Sequence, residues 1–184
     1  MSINKTNLEI EMKCYISEEQ YKNLISHFDL NDKINVQINY YFDTDDFDLV
    51  NNKIILRIRQ KQNQYKITSK VPQSVGSLES HVYLTENDAL NILENGFDAN
   101  IINLDYFVKK KCDLTTYRAS TNYKSGKLFI DKSIYGNKTD YEVEFEVENE
   151  EVGKLEFNEF LELFGITPTK TQSKAVRALN ELKK

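Results

Sequence analysis

Three stretches of the chain carry a charged side chain at every second residue. Glu9, Glu11 and Lys13 alternate with Leu8, Ile10 and Met12; Arg57, Arg59 and Lys61 alternate with Leu56 and Ile58; Glu142, Glu144, Glu146 and Glu148 alternate with Tyr141, Val143, Phe145 and Val147. Successive side chains of a β-strand point to opposite faces, so each stretch has one charged and one apolar face. Carboxylates two residues apart on a strand sit about 6–7 Å from each other and repel unless a cation or bases neutralise them. Clustered carboxylates without His or Cys suit a hard divalent cation, Mg²⁺ or Mn²⁺. Clustered Arg and Lys suit phosphate, Arg through bidentate forks and Lys as a point charge. The two sets together fit a polyphosphate, whose several negative charges call for both metal and bases.

A charged face turned to water is ordinary for an antiparallel sheet. Here, however, the signs are segregated by strand, acids near both ends of the chain and bases between, whereas solvated faces usually intersperse them. A sheet closed into a barrel with its charged faces inward and helices over its apolar outside accounts for the segregation. Period-2 patterning predicts strands at 7–15, 36–44, 54–61, 64–70, 78–84, 106–111, 115–123, 127–135 and 140–148. Turn signals at Asn51-Asn52, Asn63, Ser125-Gly126 and Gly136-Asn137 favour antiparallel hairpins. Helices are expected after Ser17, with Gln20 completing a capping box, from Glu86 to Asn95 before Gly96, from Lys154 to Phe164, and from about Thr171 to Leu182. The fold class is therefore α+β: a closed or nearly closed eight-stranded antiparallel barrel with a charged lumen and helices packed outside, in a single domain over residues 1–184.

At 184 residues, 40% hydrophobic and 29% charged, the chain is long enough for one core and short for two. A net charge of −5 gives no bulk attraction to nucleic acid or anionic membrane, so any anion must be held by a local cluster of bases. The N-terminal residues lack the apolar core of a signal peptide, and no stretch approaches the length of a membrane span, so a cytoplasmic protein is expected. Cys14 and Cys112 form no metal-binding or disulfide pattern. Walker loops, dinucleotide fingerprints and kinase motifs are missing from the sequence, which excludes a Gly-rich phosphate cradle. Lys109, Lys110 and Lys111 read as a solvated edge, and His27 and His81 have no neighbours of metal-ligating type.

Glu9-Ile10-Glu11-Met12-Lys13 resembles the ExExK signature of the CYTH superfamily, the triphosphate tunnel metalloenzymes. The remaining order is similar across nearly the whole chain: Asn39-Tyr40-Tyr41-Phe42-Asp43-Thr44, Leu56-Arg57-Ile58-Arg59, Lys70-Val71-Pro72, Glu79, Arg118, Asp131, Glu142-Val143-Glu144 and a lysine in the last helix. Gly76-Ser77-Leu78-Glu79-Ser80-His81 and Leu114-Thr115-Thr116-Tyr117-Arg118-Ala119 resemble the small CYTH proteins of low-GC Gram-positive bacteria. The resemblance implies that Glu9, Glu11, Glu142 and Glu144 hold divalent metal, with Glu146 on the same face and the choice among the last three open. It implies that Lys13, Arg57, Arg59, Lys70, Arg118 and Lys174 contact phosphate, with Lys66 and Lys170 as substitutes, and that Glu79 orients a neighbouring base. Asp131 would position or deprotonate the attacking water, acting with Lys13 at the reacting group. Thr116 departs from the pattern, since many relatives carry Lys there. The implied activity is metal-dependent hydrolysis of a small-molecule triphosphate or polyphosphate, with Mg²⁺ or Mn²⁺ as cofactor. A non-catalytic polyphosphate or nucleotide sensor and a class IV-type adenylyl cyclase are the alternatives. Neither nucleic acid nor membrane is an expected partner; the oligomeric state is open, a homodimer included.

Overall fold

The computed structural model describes residues 5–182. Nine strands are present among them: β1 (Lys5–Ile16), β2 (Asn35–Asp43), β3 (Ile55–Lys61), β4 (Gln64–Pro72), β5 (Ser77–Leu84), β6 (Phe97–Asp98), β7 (Phe107–Tyr123), β8 (Gly126–Tyr135) and β9 (Lys138–Val147). The helices are α1 (Glu18–His27), α2 (Asp48–Asn51), α3 (Glu86–Asn95), α4 (Glu150–Leu163) and α5 (Lys174–Glu181). Hydrogen bonding orders the strands β2-β3-β4-β5-β1-β9-β8-β7-β6, and a further β2–β7 pairing closes eight of them into the expected antiparallel β-barrel, with β6 paired outside. No helix among the described residues is long and apolar enough to cross a membrane.

The patterns at 106–111 and 115–123 belong to one continuous strand, the 17-residue β7. Asp113 interrupts the apolar alternation between them without breaking the backbone ladder, because a polar side chain on an extended residue costs no main-chain hydrogen bond. The two-residue β6 and the single-turn α2 have too few positions to show a period. Asp43 fixes α2 from a buried position: its carboxylate accepts from the backbone N–H of Leu49 at 2.9 Å and of Val50 at 3.1 Å. The capping box at Ser17 and Gln20 forms as expected. Helix α4 starts four residues before Lys154, where the Asn149 side chain accepts from the Val152 N–H at 3.0 Å and Glu150 and Glu151 meet the positive end of the helix dipole.

The described residues divide into two compact units: residues 9–36 with 115–172, here unit A, and residues 5–8, 37–114 and 173–182, unit B. Strands β1, β2 and β7 run through both. Unit A packs the apolar faces of its strands, among them Cys14, Ala119, Leu128, Ile130, Val143 and Phe145, against α1 and α4. Phe145, Phe157 and Phe160 stack nearly parallel, with ring centroids 6.3 and 6.2 Å apart. Helix α4 approaches closely through Gly153, where an added Cβ would lie 2.5 Å from a Val147 methyl and 3.0 Å from Met12 Cε. Unit B has its own core, built from Leu56, Ile58, Ile67 and Val82 with Ala89 and Ile92 of α3. In both units helices cover the apolar strand face and leave the charged face to the opposite side.

Phe160 is fully buried, so Phe160→Ala is expected to lower the unfolding free energy by about 3–5 kcal/mol. Urea titration would show this as an earlier midpoint at unchanged slope.

Candidate functional site

Register determines which charges of unit A meet. Lys13 lies opposite Glu144, and Glu144 opposite Phe129; Glu11 lies opposite Glu146, and Glu146 opposite Lys127; Tyr15, Glu142, Asp131 and Arg118 form a third row across four strands. All stand on the face away from the apolar core, and three of them are buried: Asp131 at 0%, Glu142 at 1% and Glu144 at 7% exposure. A solvated charged face would not bury its carboxylates in this way.

The carboxylates gather into two groups of three, Glu9 with Glu11 and Glu146, and Asp131 with Glu142 and Glu144. One oxygen from each member lies within 4.8 Å of the others in its group. Such hard, all-oxygen donor sets fit Mg²⁺ or Mn²⁺ and would serve poorly for a soft metal. Two cations sit among them. Lys13 pairs with Glu11; burial pulls its ammonium down, but Glu11, Glu144 and Glu9 outweigh burial and hold it above the ordinary lysine range. Arg118 donates from Nε to Asp131 Oδ1 at 2.8 Å and from Nη2 to Asp131 Oδ2 at 2.5 Å, and its Nη2 also pairs with Glu144. Its guanidinium carbon lies 4.4 Å from the Phe129 ring centroid, so the fork is held in plane as well as by charge. Burial opposes the charge of Arg118, and Asp131 and Glu144 more than restore it.

Unit B carries the basic set. Across β2, β3, β4 and β5, Tyr41, Arg57, Thr68 and His81 form one row; Asn39, Arg59, Lys66 and Tyr83 form the next; Lys70 lies opposite Glu79. Asn39 Oδ1 accepts from Arg59 Nε at 2.9 Å and so orients that guanidinium. Arg57 Nε is buried without a hydrogen-bond partner, and its guanidinium meets the Tyr41 phenol, whose pKa burial raises despite Arg57 and Arg59. Burial and the neighbouring Arg59 and Arg57 lower the Lys66 ammonium. Glu79 is only 7% exposed and serves two partners, Lys70 Nζ at 2.9 Å and His81 Nε2 at 3.3 Å. Burial alone would raise its carboxyl, but His81, Lys70 and Arg57 together depress it well below the usual range. At the start of α5, Lys174 and Arg177 are both buried, at 8% and 7% exposure.

Every expected site residue lies among the described residues. Unit A brings together Glu9, Glu11, Lys13, Arg118, Asp131, Glu142, Glu144 and Glu146, while Arg57, Arg59, Lys70, Glu79 and Lys174 belong to unit B. Lys170 is exposed and precedes α5. Arg177, which its spacing would assign to a solvent face, is buried. Sequence reasoning missed Asn39, Tyr41 and Thr68 as neighbours of the charges, since only strand register could have revealed them. His27, exposed at the end of α1, packs edge-on against Phe28 and Phe164, a surface packing role. Lys109 and Lys111 pair with the exposed Asp45; the Lys109 side chain is exposed, whereas that of Lys111 is only 14% exposed and so departs from the expected solvated edge.

The CYTH domain family matches residues 7–179. A Bacillus subtilis protein named "Putative triphosphatase YjbK" is 35% identical over 192 residues, covering 96% of this chain and 97% of the relative. A crystal structure from Bacillus halodurans, named "a putative adenylate cyclase", is 35% identical, with a TM-score of 0.85 over 94% of this chain and 97% of that one. A Hippeastrum protein, described as an adenylyl cyclase candidate with a dominant triphosphatase activity, shares the fold at 20% identity, with a TM-score of 0.72 over 95% and 96% of the two chains.

The depressed carboxyl of Glu79 ties stability to pH. Its folded-state value lies below the unfolded value of about 4.3, so the ionised group favours folding above that pH, and the contribution fades as pH falls toward the folded value. Glu79→Gln is expected to cost about 1–3 kcal/mol at pH 7. In urea melts the gap to wild type should narrow steadily below about pH 4.

Proposed function

We propose that this chain, which belongs to the CYTH domain family, hydrolyses a small-molecule triphosphate with the help of divalent metal, within a single domain spanning residues 1–184. The observation that carries the reading is the gathering of two three-carboxylate groups, one of them buried and the other half-buried, beside Lys13 and Arg118 on one sheet face of unit A. Glu9, Glu11 and Glu146, and Asp131, Glu142 and Glu144, are assigned to hold Mg²⁺ or Mn²⁺. When bound, such a cation would act as a Lewis acid, neutralising charge on phosphoryl oxygens. The names of the Bacillus subtilis and Hippeastrum proteins support triphosphate chemistry.

Phosphoryl transfer requires mainly positioning and charge stabilisation, and the chain's own residues supply both. Lys13 is assigned to the transferring phosphoryl group, where its persistent positive charge would stabilise the equatorial oxygens. Arg118, whose Nε and Nη2 are engaged by Asp131 and Glu144, would offer its remaining Nη1 to a second set of phosphate oxygens. Asp131 is engaged by both arms of that fork, which favours a role in placing charge and water over full proton abstraction. Arg57, Arg59, Lys70 and Lys174 of unit B are assigned phosphate contacts, with Asn39 aligning Arg59 and Glu79 aligning Lys70. Attack of water on the terminal phosphorus releases orthophosphate and a diphosphate. The protein would work in the cytoplasm, on a substrate free in solution.

The cyclase name of the Bacillus halodurans relative supports a second reading, in which the ribose 3′ hydroxyl attacks the α phosphorus of a nucleotide. Product analysis from tripolyphosphate, ATP and thiamine triphosphate separates the two. Orthophosphate release is expected with Mg²⁺ or Mn²⁺ and none with EDTA. Glu11→Gln and Glu144→Gln should each reduce kcat about 10²–10³-fold. Cyclic AMP with pyrophosphate would establish the cyclase, tight binding without turnover would establish a sensor, and full activity in both variants would overturn the metal assignment.

A further inference from the structure

Thr68, His81, Glu79 and Lys70 form a buried chain of polar contacts in unit B. Thr68 Oγ1 lies 3.2 Å from His81 Nδ1, His81 Nε2 lies 3.3 Å from Glu79 Oε2, and Lys70 Nζ lies 2.9 Å from Glu79 Oε1. Thr68 is 0% exposed, and His81 and Glu79 are each 7% exposed. Neither a core histidine nor a surface ion pair accounts for four such groups in line. Burying them is costly unless each finds a partner, and each does.

The direction of the chain follows from its chemistry. Glu79 is ionised and accepts only, so His81 Nε2 carries a proton and donates to Oε2. With Nε2 protonated, the Nδ1 of a neutral imidazole accepts from the Thr68 hydroxyl, which has little other outlet at 0% exposure. Glu79 Oε1 is left to Lys70 Nζ, 2.9 Å away, with Arg57 adding to the positive field at the carboxylate.

We propose that His81 is a positioning residue: backed by Thr68 and acting through Glu79, it sets how firmly Lys70 is held and so how readily Lys70 engages a polyphosphate oxygen. The inference rests on the triphosphate reading above and deepens it. Loss of the His81 side chain would leave Glu79 Oε2 without its imidazole partner, so that the carboxylate holds Lys70 more tightly and Lys70 yields less readily to phosphate.

The test compares wild type, His81→Gln and His81→Leu in binding the non-hydrolysable imidotriphosphate with Mg²⁺, by calorimetry at pH 8. Glutamine can donate to Glu79 and accept from Thr68, and leucine can do neither. His81→Leu is expected to weaken binding about five-fold and His81→Gln to restore most of that loss. Thr68→Val, which removes the hydroxyl behind Nδ1 at nearly constant shape, should weaken binding in the same direction. In hydrolysis of tripolyphosphate, the His81→Leu defect should fall on KM rather than on kcat. Unchanged Kd and KM in folded His81→Leu, or in Thr68→Val where His81→Leu fails to fold, with intact wild-type binding would overturn the role of His81 alone. Absence of binding by folded wild type would overturn both this inference and the triphosphate reading.

Discussion

Like charges on alternate residues of one strand must be neutralised, and much of the structure answers to that constraint. Neighbouring carboxylates about 6–7 Å apart repel by roughly 2–3 kcal/mol at an effective dielectric of about 20. Strand β9 places Glu142, Glu144 and Glu146 in such a series, with Glu142 and Glu144 buried. Strands β1, β8 and β7 bring Lys13, Lys127 and Arg118 into the same rows. Arg118 carries the largest share, because its planar fork spans Asp131 while one nitrogen reaches Glu144.

The apolar faces make this arrangement sustainable. Each unit encloses its own core, and in unit A the stacked Phe145, Phe157 and Phe160 together with the close approach at Gly153 hold α4 against the sheet. Strand positions are thereby fixed by packing on one side, which lets charged groups on the other side keep separations that solvent-exposed side chains would relax. The motif residues divide between the two tasks. Asn39 aligns an arginine, whereas Asp43, four residues later and equally buried, caps α2 and has a structural role.

The basic set is tuned by contacts as much as by charge. Arg59 has an amide partner, Arg57 a phenol, and Lys70 a carboxylate that is itself tied to an imidazole. Cations that must meet an anion and release a product benefit from partners strong enough to orient them and weak enough to yield. A basic face fully paired to carboxylates would compete with phosphate, and one left unpaired would be expensive to bury.

The sequence by itself determined the strand faces, most element boundaries and the identity of the charged groups, because strand periodicity of two and helix capping are local properties of the chain. ExExK, the arginine pair and the glutamate series were legible on that ground, and so was the barrel, since eight one-sided apolar strands need closure. Tertiary structure alone decided which charges meet. Register brings Glu146 to Glu9 and Glu11, gives Asp131 to Glu142 and Glu144, and sets His81 beside Thr68. It also buries Arg177, whose helical spacing reads as a solvent face. Such pairings link residues from 11 to more than 130 positions apart, and alternation within one strand carries no information about the offset of the next.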